Sequence, residues 1–316
     1  DMSGIARGKI IPAEKLLRIL RERGMPLPES VFIQTVTGDY PDLELINASM
    51  GDVYMMPDEA TVRLVPWYKE PTAQIICDAY YADDTPIPFS SRYLLKKILG
   101  EYERRGWKMV VAPELEFYLV SVNTDPDIPL NPPVGHSGRR ESGRQAYGID
   151  AVNEFDPIFE DVYDYCEAQD IDIDTLSHEA GAAQIEVNFN HGDPLEVADQ
   201  AFLFKRTARE VAMRHGVYAT FMAQPMQMQP GSAMHLHQSM VDVRTGKNIF
   251  SDDDGRDTKL FRHYVGGLQR YLPAALPMFA PNINSYRRFG HKETDSPINV
   301  EWGVDNRTAG LRVPVS

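Results

Sequence analysis

The sequence predicts an α+β fold whose antiparallel sheet has one polar, acid-lined face and one apolar face. Two observations carry this. Four stretches alternate polar and apolar residues: Pro113-Glu114-Leu115-Glu116-Phe117; Glu179 followed by Gln184-Ile185-Glu186-Val187-Asn188-Phe189-Asn190; His235-Leu236-His237-Gln238-Ser239; and Asn299-Val300-Glu301-Trp302 running into Asp305-Asn306-Arg307. Side chains in a strand repeat every second residue, so Glu114 and Glu116 share a face, as do Gln184, Glu186, Asn188 and Asn190. Strand-like and helix-like segments also alternate irregularly, and strands polar on one side suit an antiparallel sheet with a wet face.

Residues 12–24 read as a short helix, and residues 31–36, 61–66 and 73–78 as strands. Thr85-Pro86-Ile87-Pro88 then punctuates the chain. Ser90 or Ser91 caps a helix reaching residues 103–105, with Gly106 at its end. Residues 107–120 form the strand carrying the first acidic pair. Residues 125–148 are a Pro/Gly/Arg-rich loop, long enough to be functional or mobile. Asp156-Pro157 opens a helix to Gln169. Asp193-Pro194-Leu195-Glu196 supplies an N-cap, a first-turn proline and an acid, and Gly216 closes that helix. The expected organisation is a small N-terminal domain over residues 1–85 and a larger catalytic domain over residues 86–316.

Composition narrows the function. The chain has 316 residues, 43% of them hydrophobic, enough to bury a real core. With 32 basic and 46 acidic residues the formal charge is −14, which disfavours nucleic acid and anionic membrane as general partners. Two cysteines, Cys77 and Cys166, form no disulfide framework, and no apolar run reaches membrane-spanning length. A cytoplasmic protein is expected.

Carboxylates held side by side repel unless a cation sits between them. A single Glu-x-Glu is most simply a solvated strand face. Recurrence argues otherwise: four acids and two histidines lie on strand-like segments with apolar backs, and three of these segments contain no lysine. Carboxylate-rich sites with little imidazole favour Mg²⁺ or Mn²⁺, and paired ions suit phosphoryl transfer. His237 and Ser239, on the face of His235, make that histidine a candidate ligand. Arg287 and Arg288 follow Asn284-Ser285-Tyr286, and Arg307 and Arg312 sit among small and apolar residues where guanidinium can grip phosphate or carboxylate. No Walker-type loop and no G-x-G-x-x-G occurs.

Taken together, these segments resemble the glutamine synthetase superfamily. The motifs are Pro113-Glu114-Leu115-Glu116-Phe117, His178-Glu179 to Gln184-Ile185-Glu186, Gly231-Ser232-Ala233-Met234-His235-Leu236-His237-Gln238-Ser239, Asn284-Ser285-Tyr286-Arg287-Arg288, and Trp302-Gly303-Val304-Asp305-Asn306-Arg307 to Arg312-Val313-Pro314. They keep the family's order across nearly all of residues 86–316. The resemblance implies a β-grasp-like N-terminal domain and a funnel-shaped site lined by the antiparallel sheet, with ATP entering one end and glutamate the other. Glu116, Glu179 and Glu186 match ligands of a first metal, Glu114 and His235 those of a second. His237 and Ser239 match ATP contacts, Gly231 and Arg288 glutamate contacts, and Arg307 and Arg312 the catalytic arginines around the transferred phosphate. The family forms γ-glutamyl phosphate, which an amine then attacks. It assembles as a hexameric or dodecameric ring with active sites completed by the neighbouring subunit.

Departures from the pattern point to the acceptor. Pro230 stands where ammonia-using members carry a glutamate-binding Asn, and nothing around residues 47–52 resembles their Asp-Gly-Ser-Ser ammonium loop. The flap's Glu-Ala-Pro becomes Asp295-Ser296-Pro297, making Asp295, or Glu293, the expected proton acceptor from the amine. The last metal and glutamate ligands of the family are expected beyond Ser316. Gly4-Ile5-Ala6-Arg7-Gly8-Lys9, Arg63-Leu64-Val65-Pro66-Trp67 and Asp150-Ala151-Val152-Asn153-Glu154-Phe155 look like the γ-glutamylpolyamine synthetase branch. The expectation is therefore an ATP-dependent ligase joining glutamate to putrescine, spermidine or another bulky amine. The alternatives are a glutamine synthetase using ammonia and a non-catalytic structural relative.

Overall fold

The computed structural model describes every residue except Arg23 and residues 42–50, 291–296 and 315–316. The described chain divides into two compact units, Asp1–Arg105 and Gly106–Ser316.

The first unit contains α1 (Ala13–Ile19), β1 (Met25–Pro28), β2 (Asp52–Pro57), β3 (Arg63–Leu64), β4 (Ala73–Gln74), β5 (Cys77–Tyr80) and α2 (Ser91–Glu103). Strands β1, β2 and β5 form an antiparallel sheet in that order, closing on Leu27, Val53, Ala79 and Ile87. Three expectations need correction. The first helix stops at Ile19, its only buried residue, so no apolar face holds a longer one. Residues 31–36 form no strand, and residues 29–33 are a 3₁₀ turn instead. Glu29 is buried there and accepts the Tyr81 hydroxyl, while Val31 and Phe32 pack on the sheet's core. Residues 61–66 hold only the end of another 3₁₀ turn and the two-residue β3. In α2, Arg92 bridges Asp58 (2.7 Å) and Asp78 (2.8 Å), tying the helix to the strands.

The second unit contains β6 (Trp107–Ser121), α3 (Ile149–Asn153), α4 (Asp156–Glu167), β7 (Ile173–His178), β8 (Gln184–Phe189), α5 (Pro194–Arg214), β9 (Val217–Thr220), β10 (Met234–Asp242), α6 (Lys259–Phe279), α7 (Ile283–Arg287), β11 (Trp302–Val304) and β12 (Leu311–Val313). Its main sheet runs β10-β6-β8-β7, wholly antiparallel, with β9 also on β6. As the sequence predicts, Asp193 caps α5 by accepting from Leu195 N–H (3.0 Å) and Glu196 N–H (3.5 Å), and Gly216 beyond its end takes φ +73°.

The apolar back of the sheet builds the core. Phe117 and Phe189 meet Phe204 of α5 edge-on, Phe221 joins them, and Val187, Leu203, Ala208 and Val211 are buried nearby. The polar face is less wet than the alternation predicts: Gln184 is 1% exposed and Glu186 8%.

The fourth acidic stretch is not part of this sheet. Trp302–Val304 pairs in parallel with Leu311–Val313 as a separate ribbon. Asn299 explains the closure: its side-chain oxygen accepts from Glu301 N–H (3.0 Å) and Gly310 N–H (3.1 Å), and its amide donates to Thr308 carbonyl (3.0 Å). These bonds close the segment on its own turn.

Phe204 is fully buried between sheet and helix. Its replacement by alanine is expected to cost about 3–5 kcal/mol by removing apolar contact and leaving a cavity; denaturant unfolding with an unchanged midpoint would refute the packing described.

Candidate active site

Antiparallel register builds the site. Across β6 and β8, Glu116 lies opposite Glu186 and Glu114 opposite Asn188. Across β6 and β10, Glu114 lies opposite His235 and Ala112 opposite His237. Ligand atoms of Glu114, Glu116 and His235 lie within 4.8 Å of one another. Glu179 begins the turn after β7, and its charge acts on both Glu116 and Glu186.

Hydrogen bonds hold each acid in place. Glu114 accepts from His235 (Nδ1, 2.7 Å) and His237 (Nε2, 3.3 Å). Glu116 accepts from Gln184 Nε2 (3.0 Å) and Ala233 N–H (3.0 Å). Glu186 accepts from Asn188 Nδ2 (2.8 Å). Gln184 is held in turn, because the Tyr118 hydroxyl sits 3.0 Å from its side-chain oxygen and 2.7 Å from the Pro230 carbonyl. Gly181 lies against that hydroxyl so closely that an added Cβ would sit 1.9 Å from it.

The electrostatics are uneven. Bonds from His235 and His237 hold Glu114 far below the usual carboxylate range, and the same Glu114 bond raises His235. Burial, then the charges of Glu179 and Glu114, push Glu116 up to about 7 against the Ala233 amide. Burial, then the charges of Glu114 and Glu179, push Glu186 to about 7 despite Asn188. Closely spaced carboxylate oxygens with one imidazole nitrogen make a donor set that fits a hard divalent cation.

Gly231 and Arg288 come together as a pair. The Arg288 side chain lies over the glycine, where a Cβ would meet its Cγ at 2.5 Å, and Nη1 donates to the Ser232 carbonyl (2.7 Å). Arg307 and Arg312 differ from the sheltered setting that their small neighbours suggest. Both are exposed, and Arg312 pairs with Asp305 at 3.3 Å. Asp295 and Glu293, and residues 47–50, lie outside the described residues. Ser239 is half-buried on β10, two residues beyond His237.

Sequence reasoning missed Tyr147. It takes φ +59° and is 65% exposed. Partial burial, followed by the charges of Glu186, Glu179 and Glu114 against that of Arg307, raises its phenol. It sits in a loop with no periodic pattern; its one signal is the neighbouring Gly148, which opens α3. A cavity of about 420 Å³ lies along this loop, lined by Arg139, Arg140, Glu141, Gln145, Asp150 and Glu154 among others.

The chain is similar to known proteins along nearly its whole length. A family model described as the glutamine synthetase catalytic domain matches residues 88–316. The chain is 34% identical to the γ-glutamylputrescine synthetase PuuA of Escherichia coli K12, covering 99% of this chain and 66% of that protein. It is 31% identical to a glutamate–isopropylamine ligase of a Pseudomonas species (100% and 69%) and 30% identical to the glutamine synthetase of Pyrococcus woesei (99% and 65%). The chain thus spans about two thirds of the length of these relatives. Among solved structures, a GmaS–ADP complex superposes with TM-score 0.83 at 23% identity, covering 99% of this chain and 69% of that one. A novel glutamine synthase homologue gives 0.84 at 23%, covering 98% and 70%. The fold is therefore glutamine synthetase-like.

Glu116, Glu186 and His235 have proton affinities raised by folding. Their stabilising contribution is complete below the unfolded values and is lost as pH rises through the folded ones, near 7 for the two acids. Glu114, shifted down, titrates below this window. In EDTA, the thermal midpoint is expected to fall between pH 5.5 and 8, and added Mg²⁺ or Mn²⁺ to raise it more at pH 8, where fewer protons compete. A midpoint flat with pH and unmoved by either ion would refute the cluster's electrostatics.

Proposed function

The chain belongs to the glutamine synthetase family, and from that premise we propose that it is an ATP-dependent ligase joining the γ-carboxyl of glutamate to an amine. The observation that carries this reading is the convergence of Glu114, Glu116 and His235 within ligand distance of one another, with Glu186 opposite Glu116. Two of the relatives named above, including the one at 34% identity, are ligases of glutamate with an amine. The acceptor we propose is accordingly a polyamine such as putrescine or spermidine, or another bulky amine. The glutamine synthetase relatives at about 30% identity support ammonia as the second reading.

Glu116, Glu179 and Glu186 would hold one divalent ion, Mg²⁺ or Mn²⁺, and Glu114 with His235 another. When bound, such ions neutralise charge on the nucleotide's phosphates. The chain's own residues then divide the work. His237 and Ser239 contact the nucleotide. Arg288, supported on Gly231, takes the glutamate, its guanidinium matched to a carboxylate. Arg307 and Arg312 offset charge on the phosphoryl group as it passes from ATP to the γ-carboxylate. The amine nitrogen attacks the acyl phosphate carbonyl and inorganic phosphate leaves; Asp295 takes the amine's proton. A homo-oligomeric ring, a hexamer or dodecamer with sites shared between subunits, is part of the same proposal, as are a cytoplasmic location and the domain division at residues 85 and 86.

Two measurements on the full-length protein test this. ADP release with glutamate should be stimulated by putrescine, spermidine or a bulky monoamine more than by ammonium; preference for ammonium would select the second reading. Glu186→Gln should weaken Mn²⁺ binding and turnover by about a hundredfold with assembly intact; normal turnover would show the metal assignment to be wrong.

A further inference from the structure

One peptide group joins the acid cluster to Arg288. The Ser232 carbonyl accepts from Arg288 Nη1 (2.7 Å), and the N–H of the same peptide, on Ala233, donates to Glu116 Oε2 (3.0 Å). The Glu116 end is fixed by the sheet itself. Glu116 N–H donates to the Ala233 carbonyl (3.0 Å), and Gln184 Nε2 holds both Glu116 (3.0 Å) and the Gly231 carbonyl (3.1 Å). The Arg288 end depends instead on α7.

Helix α7 has five residues, too few to hold itself. Ser285 is the one of them that is buried, while Ile283 and Tyr286 are exposed, so apolar packing does not seat the helix. Side-chain amides do. Asn282 caps it, accepting from the Ser285 N–H (3.1 Å). Asn284 forms a reciprocal pair with the backbone of Gln224, accepting from its N–H (2.9 Å) and donating to its carbonyl (2.9 Å). Gln224 is buried and pinned in turn, its Nε2 donating to the carbonyls of Met226 (2.9 Å) and Gln229 (2.7 Å). Arg288 ends the helix with helical angles (φ −57°, ψ −37°). It follows Asn284 by four residues, so the two share a face. Its guanidinium lies 5.1 Å from the centre of the Phe289 ring. Among the described residues, the Ser232 carbonyl is the one hydrogen-bond acceptor it meets, which leaves most of its donors for a ligand.

We propose that Asn284 is a positioning residue for Arg288. Its amide fastens α7 to the backbone of Gln224 and so presents the guanidinium, already oriented, to a carboxylate of the substrate, without touching that substrate. The proposal rests on the ligase reading above, in which the carboxylate belongs to glutamate. A freely rotating arginine would lose rotamer freedom on binding, and prior fixation removes that loss. Because the sheet holds Glu116 independently of α7, the metal cluster should not share the effect.

The test uses the full-length protein with Mn²⁺, ATP and the best amine or ammonium. Asn284→Ala should raise the KM for glutamate about tenfold, the order of one weakened hydrogen bond to a charged group, while the Kd for Mn²⁺ read by calorimetry without nucleotide stays within about twofold. In an Arg288→Ala background the same replacement should change kcat/KM for glutamate less than about twofold, since a residue acting through Arg288 then has nothing to act on. An unchanged KM for glutamate, equal losses in both backgrounds, or Mn²⁺ binding weakened alongside the raised KM would each overturn the proposal. If Arg288→Ala shows no turnover, the comparison of glutamate KM with Mn²⁺ affinity decides alone. If Asn284→Ala does not fold, Asn284→Asp, which keeps the acceptor and loses the donor, carries the same comparisons. Wild-type protein inert with glutamate and every amine would overturn the ligase reading. Hydrogen exchange at residues 285–289, expected to be about tenfold faster in Asn284→Ala, would still decide whether Asn284 seats α7.

Discussion

Like charge crowded onto one face of a sheet is the constraint on which the rest of this molecule depends. Antiparallel register sets Glu116 against Glu186 and Glu114 against His235, and no shift of one residue could keep that arrangement, because every side chain would change faces. Repulsion among these acids opposes folding, so the scaffold must be held by something else. The aromatic back of the same strands, with Phe117 and Phe189 against Phe204, supplies it. Each strand carries both functions at once: odd positions of β6 build the core and even positions near its middle build the site.

The polar face is held by a mesh of neutral groups. Gln184 links Tyr118, Glu116 and the Gly231 carbonyl, and Asn188 steadies Glu186. Amide side chains suit this task because they donate and accept without adding charge. The mesh keeps the acids near one another when nothing else neutralises them, which pre-organises them for a cation.

Much of this was legible in the sequence because period-two alternation is a local signal. Glu114, Glu116, Glu186, His235 and His237 could be placed on one face from spacing alone, and the capped helix after Asp193 follows from its first four residues. Less legible was anything set by long-range closure. Residues 31–36 look like a strand by composition, yet the Glu29–Tyr81 bond and packing of Val31 and Phe32 go with a 3₁₀ turn over residues 29–33. The stretch from Asn299 alternates like the other three, but Asn299 folds it back on Gly310. Tyr147 and Glu141 belong to an aperiodic loop, and only coordinates bring them to His178.

Glu114 has one further consequence. One carboxylate serves two imidazoles, with His235 on one oxygen and His237 on the other. On the proposed roles, the first histidine faces an ion and the second a nucleotide. Whatever draws on one imidazole redistributes the electron density that Glu114 offers its twin, so the two ligands would report to each other through a single side chain. Ion and nucleotide occupancy would then be thermodynamically interdependent, each altering the affinity for the other by the same factor.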